Sequence, residues 1–481
     1  MVLPGWRVSK NQPPLRTGQE CQKLHGPIPH QAVYSCGMNP PLVYVLVINW
    51  NGQEHLATCF DTLLQSSYPH ARYVLVDNGS TDGSVAWFRG IYGADPRTEV
   101  LECGANLGWS GGNNVGLRAA LEAGAEWILL LNNDTATPGD ALEHLMACAE
   151  AHPGAGAIAP KMVMFNEPQI LNSAGLECSL IGSCWDRGIG KLDGPRWDQQ
   201  EPVLGVCGGA MLLRADALRM AGLLPEEFGI YLDDLDLCLR IREAGYEIVS
   251  CPKAVVRHKF SATLGTGAGA RNKYFLNTRN RLWLLLRNWP VERMLQVLPL
   301  VLLGECKALG RAALDGEGWK FFAHCRAWAQ AAGYIPDALA ERRRRRRAGL
   351  KRGAFWNLLK RDRLFCAGLL LPVDGWYPPV NINGAFYHPM SRTAWVEVPA
   401  GRLRLQHAHC YPRLGPTLVR IKVEGRATAQ LVTTGMDVME LELPACRLTL
   451  EAERIFTAEE TGELVDLGGW FSFDPTPSNL K

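Results

Sequence analysis

From residue 42 the chain alternates continuous apolar runs with amphipathic stretches. "LVYVLVI" (42–48) reads as a strand buried on both faces. A helix-like stretch follows at 54–66, then "RYVLV" (72–76), a second helix, "EVLEC" (99–103), a third helix at 111–123 and "EWILLL" (126–131). Strands and helices alternating at this spacing predict a parallel, doubly wound α/β sheet. The beat is lost over 160–206, where a hairpin and a loose loop, "CWDRGIGKLDGPRWDQQ", are expected. "VCGGAMLLRADAL" then reads as a strand entering a short helix, and residues 271–335 read as helical. After the run "ERRRRRR" (341–347) the pattern changes. From about 371 to 481, segments such as "TAWVEVPAGRLRLQHAH" and "TLVRIKVEG" alternate apolar and polar positions, which predicts an antiparallel β-sandwich domain.

Composition narrows the class. A chain of 481 residues is long enough for two or three domains, and a net charge of +2 gives no global pull towards nucleic acid. Fifteen scattered cysteines without a Cys-x-x-Cys pair read as reduced, buried thiols of a cytoplasmic protein. Residues 1–41 lack an apolar core, so they read as a disordered extension rather than a signal peptide, with 1–37 dispensable and a candidate upstream mis-start. The apolar stretch "MLQVLPLVLLG" (294–304) is too short and interrupted to span a bilayer. Trp, Leu and Arg combined over 281–303 suggest either a packed helical subdomain or a peripheral anchor on anionic membrane.

In doubly wound sheets ligands bind beyond the carboxyl ends of the strands. Those ends here read "NWNG", "DNGSTD", "GANLGWSGGNN" and "NNDT", all polar and on one edge. Asp77 suits an Asx-turn or a hydrogen bond from a nucleobase imide. The glycines of "NLGWSGGNN" let a ligand approach the backbone, and a helix start suits a pyrophosphate. Asp134 could cap a helix starting near Pro138, or hold Mg2+ or Mn2+. Asp233, Asp234 and Asp236 crowd the mouth of another helix, where two caps would suffice and a third charge adds repulsion.

"LVINWNG", "VDNGSTDGS", "NLGWSGGNNVGL", "LLLNNDT", "GGAMLLRADAL", "YLDDLDLCLRIREAGYEI" and "VVRHKFS", in this order, resemble the family 2 glycosyltransferases of GT-A fold, particularly their rhamnosyltransferase-like branch. The resemblance covers about 42–290 and implies a metal-dependent, inverting transfer of a single sugar. The implied donor is a nucleoside-diphosphate sugar, dTDP-rhamnose or a UDP-sugar being candidates. The implied acceptor is a glycan or lipid-linked molecule of cell-surface polysaccharide synthesis. Carried over by motif, Asp77 contacts the base, and Asn51, Asn106, Gly108 and Asn132 line the donor pocket. Asp134 and His258 hold the metal, and Asp234 is the general base. The chain departs from the pattern at Asn132, where the family's metal element often has Asp.

The domains expected are thus a GT-A domain (42–270), a helical, membrane-surface segment (271–365) and a C-terminal sandwich (371–481) whose Trp376, Tyr377 and Trp395 stack on sugars or fill its core. The competing function is an inactive sugar-nucleotide sensor or scaffold with a lectin-like tail. A nucleotidyltransferase lacks the expected basic, Gly-rich loop after the first strand, and a processive synthase lacks membrane spans and a Gln-x-x-Arg-Trp element after His258.

Overall fold

A computed structural model describes residues 40–191, 193–259, 268–314, 318–360 and nine strands between 380 and 476. The expectations for 1–37, Trp376 and Tyr377 lie outside the described residues. Residues 41–371 form one compact unit.

The first half of this unit runs β1 (Val43–Asn49), α1 (Gln53–Leu63), β2 (Ala71–Asp77), α2 (Ser84–Tyr92), β3 (Thr98–Glu102), α3 (Gly108–Glu122), β4 (Trp127–Asn132), β5 (Thr135–Ala136) and α4 (Ala141–Ala151). It continues with β6 (Ala155–Met164), β7 (Leu171–Ser173), β8 (Leu176–Cys178), β9 (Cys184–Asp186), β10 (Ala210–Arg214), α5 (Ala215–Ala221), α6 (Asp233–Glu243) and β11 (Glu247–His258). Val45, Val47, Val74, Val76, Leu129 and Leu131 are all buried, because helices cover both faces of the central strands.

The nine-stranded sheet has the order β3-β2-β1-β4-β10-β6-β11-β5, with β7 on β6. β1 pairs parallel with β2 and β4, bringing Asn49 beside Asp77 and Ile48 beside Asn132. The sheet is mixed, not wholly parallel as expected. β10 runs antiparallel to β4 and β6. No crossover helix separates β6 from β10, and parallel pairing needs one. The reversal has a consequence: the start of β10, Ala210, pairs with the end of β4, Leu131, so the residues before Ala210 fall on the binding edge. Of the hairpin and loose loop expected over 160–206, the hairpin is present as β8 paired with β9, while the loop beyond it is tied down where Lys161 meets Asp193 and Asp198.

Three helices complete the unit: α7 (Ala268–Asn288), α8 (Val291–Leu314) and α9 (Gly318–Arg347). They share a core with α6, through Leu235, Leu239, Leu284, Trp289 and Tyr334. Arg345 in the arginine run is 2% exposed and meets Glu243 and Glu341, while Arg342 donates to the Leu286 carbonyl at 2.6 Å. Arg342 and Arg345 therefore fasten α9, and Arg343, Arg344, Arg346 and Arg347 remain exposed.

The second unit holds strands β12 (Val380–Ile382), β13 (Ala385–Met390), β14 (Thr393–Val398), β15 (Gly401–Ala408), β16 (Thr417–Val423), β17 (Arg426–Thr433), β18 (Met436–Leu443), β19 (Cys446–Ala452) and β20 (Gly469–Thr476). They form two antiparallel sheets, β12-β13-β20-β15-β18 and β14-β19-β16-β17. Alternation buries Leu403 and Leu405 in one, Leu448 and Leu450 in the other. Trp395 is half-buried, with the Arg447 guanidinium 4.1 Å from its ring centre.

Candidate active site

The acidic start of α6 rests on a strained approach. Tyr231 and Leu232 have φ of 74° and 62°, a conformation costly for non-glycine residues. Asn280 of α7 holds them there, its amide donating to the carbonyls of Phe228, Ile230 and Tyr231 at 3.2, 2.9 and 2.9 Å. At the far end Gly245, φ 93°, stops the helix, and its N–H donates to the Arg242 carbonyl.

The three carboxylates then diverge. Asp233 accepts from the Ser110 hydroxyl at 2.5 Å. Asp234 accepts the Gly208 N–H at 3.0 Å on Oδ2 and the Leu235 N–H at 2.7 Å on Oδ1. Burial and the adjacent Asp233 push the Asp234 carboxyl up to about 7, despite those N–H groups. Asp236 is fully buried, 2.8 Å from Arg240 Nε and 3.0 Å from Arg287 Nε, and accepts from the Asn288 amide at 2.8 Å. Burial alone would raise it, but Arg287, Arg240 and Arg345 hold it far below the usual carboxylate range. Burial raises Asp233 as well as Asp234 towards neutrality, while Asp236 is held ionised.

At the end of β4, Asp134 Oδ1 is buried without a hydrogen bond and lies 3.2 Å from His258 Nε2. Burial works to raise its pKa, yet His258 and His55 outweigh it and hold the carboxyl low. Asp134 caps nothing, since α4 begins at Ala141 after Asp140. His258 Nδ1 lies 2.7 Å from Asn172 Oδ1, and its Nε2 lies 3.4 Å from the Asn132 amide nitrogen. A buried carboxylate oxygen without a hydrogen bond is an acceptor that a cation satisfies. Among the described residues no group of three or more His, Cys, Asp or Glu is arranged around a metal. The pair nonetheless fits a hard divalent ion that takes its other ligands from phosphate and water.

The remaining predicted residues gather at the ends of β1, β2 and α3. Asp77 is buried, accepting the Ser80 N–H at 3.0 Å on Oδ2 and the Asn49 amide at 3.5 Å on Oδ1, so the Asx-turn is present. Asn51 adopts a φ of 49° and accepts the Thr81 N–H at 2.7 Å. Asn106 Oδ1 accepts from Asn78 at 3.2 Å and from the Gly108 N–H at 2.9 Å. Gly108 has φ 75°, and a Cβ there would lie 3.1 Å from the Gly229 carbonyl. The pyrophosphate expectation for this helix start needs correction. The N–H groups of Leu107, Gly108 and Ser110 are already taken by Asn78, Asn106 and Gly229, because the glycine-rich turn closes upon the loop before α6.

Residues 207–209 join the two poles. Gly208 donates to Asp234, the Gly209 carbonyl accepts the Asn132 N–H at 3.1 Å, and a Cβ on Gly209 would meet the His258 ring at 3.3 Å. Trp109 spans the same gap. Its indole N–H donates to Asn132 Oδ1 at 3.0 Å, and its six-membered ring would touch a Cβ on Gly208 at 2.8 Å. Sequence reasoning missed Trp109 and Asp186. Asp186 ends β9, its Oδ1 is buried without a partner, and its charge helps raise Asp234. The tryptophan of "NLGWSGG" was the available signal; Asp186 had none.

The chain is similar to known proteins over its α/β domain. Residues 44–219 match the family described as "Glycosyl transferase family 2", a span that ends before Asp234 and His258. The chain is 28% identical over 266 residues to the uncharacterized protein y4gI of Sinorhizobium fredii, covering 52% of this chain and only 28% of that one. It is 27% identical over 243 residues to the N-acetylglucosaminyl-diphospho-decaprenol L-rhamnosyltransferase of Mycobacterium tuberculosis, covering 46% of this chain and 76% of the relative. The crystal structure of GalNAc-T7 with UDP, GalNAc and Mn2+ aligns at a TM-score of 0.43 and 12% identity, over 53% of this chain and 49% of that one. Over residues 44–219 the α/β domain of this chain is thus similar to glycosyl transferase family 2, and its relatives include a rhamnosyltransferase.

Proposed function

We propose that the chain transfers a single sugar, with inversion, from a nucleoside-diphosphate sugar to a glycan or lipid-linked acceptor in cell-surface polysaccharide synthesis. The observation that carries this reading is the Gly208–Gly209 junction, which sets a carboxyl titrating near 7 beside a carboxylate–imidazole pair. Inversion needs a base on one face of the sugar and leaving-group stabilisation on the other. Asp234 takes the proton of the attacking acceptor hydroxyl as the new bond forms. Asp134 and His258 are the residues to hold Mg2+ or Mn2+, with Asn172 orienting the imidazole. A divalent ion there supplies Lewis-acid stabilisation of the diphosphate leaving group. Asn51, Asp77 and Asn106 belong to the loops that receive the nucleotide, Gly108 keeps its helix start close to the α6 approach, and Asn132 ties the metal end to Trp109.

The acceptor lies at a membrane surface in this reading. Leu295, Leu302, Leu303 and Phe322 of α8 and α9 are exposed, and so are Lys307 and Arg343 on the same two helices. None of the described helices is long and apolar enough to cross a bilayer. The deciding experiment is a donor screen with the purified chain and Mn2+ or Mg2+. It should show nucleoside-diphosphate release from one sugar nucleotide, loss of release in EDTA, and a product whose anomeric configuration is opposite to the donor's. Release from no donor, with any acceptor glycan or lipid-linked sugar supplied, would overturn the reading.

A further inference from the structure

A transferred sugar must lie between the base and the departing diphosphate, and one side chain bridges those two positions here. Trp109 touches the metal end through its indole N–H, 3.0 Å from Asn132 Oδ1, while Asn132 lies beside His258. The six-membered ring of the same indole, through its carbons nearest the nitrogen, covers Gly208, whose N–H is held by Asp234. Gly208 also shows how closely the ring is seated. A Cβ at that position would lie 2.8 Å from Trp109 and 3.5 Å from the Asp234 Cβ, so any other residue would displace the indole or the base. Trp109 is half-buried, and its neighbours Gly108 and Ser110 fix it from behind through contacts with Gly229. Its N–H is satisfied, which leaves the ring as an apolar surface with little freedom to move.

We infer that Trp109 is the platform on which the transferred sugar packs, and that its hydrogen bond to Asn132 keeps this platform in line with the metal end of the site. A sugar ring presents C–H groups on one face and hydroxyls on its rim. A flat apolar surface held between fixed polar groups recognises the first and leaves the second to the polar groups. The arrangement also gives Asn132 a use that fits its amide. Its oxygen receives the indole N–H while its nitrogen faces the imidazole. The inference rests on the proposed sugar-nucleotide reading, and the two can fail separately.

The test compares each nucleoside diphosphate with its own sugar nucleotide: dTDP against dTDP-rhamnose, and UDP against UDP-galactose. Dissociation constants are measured by calorimetry with Mn2+, alongside kcat and KM for diphosphate release. Trp109→Leu should weaken the sugar nucleotide used by the wild type about tenfold, the scale of lost apolar contact in a pocket. Binding of the matching nucleoside diphosphate should stay within about twofold, because it does not reach the indole. Trp109→Phe, which keeps a ring but not the N–H, should retain sugar-nucleotide binding and lose kcat through misalignment. The inference is overturned if Leu and Phe weaken the sugar nucleotide equally, or if the Leu variant weakens nucleotide and sugar nucleotide alike. A merely structural tryptophan would lower the melting temperature without separating the two ligands. Should the wild type bind each nucleotide no differently from its sugar nucleotide and release nothing, the donor reading itself falls and the platform with it.

Discussion

Asp234 and Asp236 stand two positions apart on α6 in opposite electrostatic surroundings. Asp234 is half-buried, beside Asp233 and held by backbone N–H groups, with its carboxyl up to about 7. Asp236 is sealed among Arg240, Arg287 and Arg345, and its carboxyl is driven far down. A half-turn of helix separates a carboxyl raised towards neutrality from one held ionised by arginines, and the two call for different assays.

Replacing Asp234 by Asn should collapse turnover by ~10²–10⁴ while donor and metal binding survive. In the wild type, the acidic limb of kcat should fall away below about pH 7, since only the ionised carboxyl accepts the proton. The variant should lack that limb. Stability gives a second reading with a fixed sign. A carboxyl raised by folding contributes stability at low pH that is lost as pH rises through its folded pKa. The melting temperature of Asp234→Asn should therefore gain on the wild type as pH rises from about 4 to about 7, and no further above that. A purely capping Asp234 predicts activity that tracks the folded fraction, with no change in the shape of the pH profile.

For Asp236 the expectation reverses. Asp236→Asn keeps the size but leaves three buried guanidinium groups short of an anion. Breaking a buried pair costs about 3–5 kcal/mol, which is a fall of several degrees in melting temperature. Activity of the folded fraction at low temperature should be little changed. The sign with pH is also opposite, because a depressed carboxyl contributes stability above its unfolded pKa that is lost as pH falls through the folded one. The variant's stability deficit should shrink on acidification below about pH 4. A variant as stable as the wild type at pH 7 would contradict the anchoring role.

The strand ends, the Asx-turn at Asp77 and the stop at Gly245 were legible because each follows from a local rule: buried runs, turn chemistry and a left-handed glycine. Strand direction was not, because an apolar run such as that of β10 reads alike in either sense. The antiparallel placement of β10 brings Gly208 and Gly209 to the site, so their role was invisible too. The arginine run misled by composition. Glu341 and Arg345 are one helical turn apart, and that spacing, rather than the tally of charges, points Arg345 inward. Asp186 sits in a stretch with no periodicity, where only tertiary structure assigns a neighbour.

Asp134 and His258 should fail together in the metal titration. Asp134→Asn removes the carboxylate, and His258→Ala removes the imidazole facing it. Each should raise the Mn2+ concentration needed for half-maximal rate by at least ~10-fold, with nucleotide affinity falling only when Mn2+ is present. Asn172→Ala should produce a smaller shift in the same direction, since it touches only the far nitrogen of His258. Variants with an unchanged Mn2+ requirement would remove both residues from the metal role.

The last prediction concerns the exposed face of α8 and α9. Leu302, Leu303 and Phe322 are 45%, 54% and 73% exposed, an uncommon burden for helices whose other side packs on Trp289 and Tyr334. Ordinary solvation does not favour such exposure, whereas a bilayer interface does, and the exposed Lys307 and Arg343 of the same helices add attraction to anionic headgroups of ~1 kcal/mol each. The chain should float with vesicles containing phosphatidylglycerol and not with pure phosphatidylcholine, and about 0.5 M salt should weaken the binding, since the Debye length then falls well below 8 Å. Leu303→Asp with Phe322→Asp should abolish flotation at any salt concentration, because apolar insertion is lost. Release of nucleoside diphosphate from the donor in the presence of a soluble acceptor should be unaffected, as neither residue is among those lining the site. Flotation that is absent, or that survives the double substitution unchanged, would assign this face to something other than a membrane.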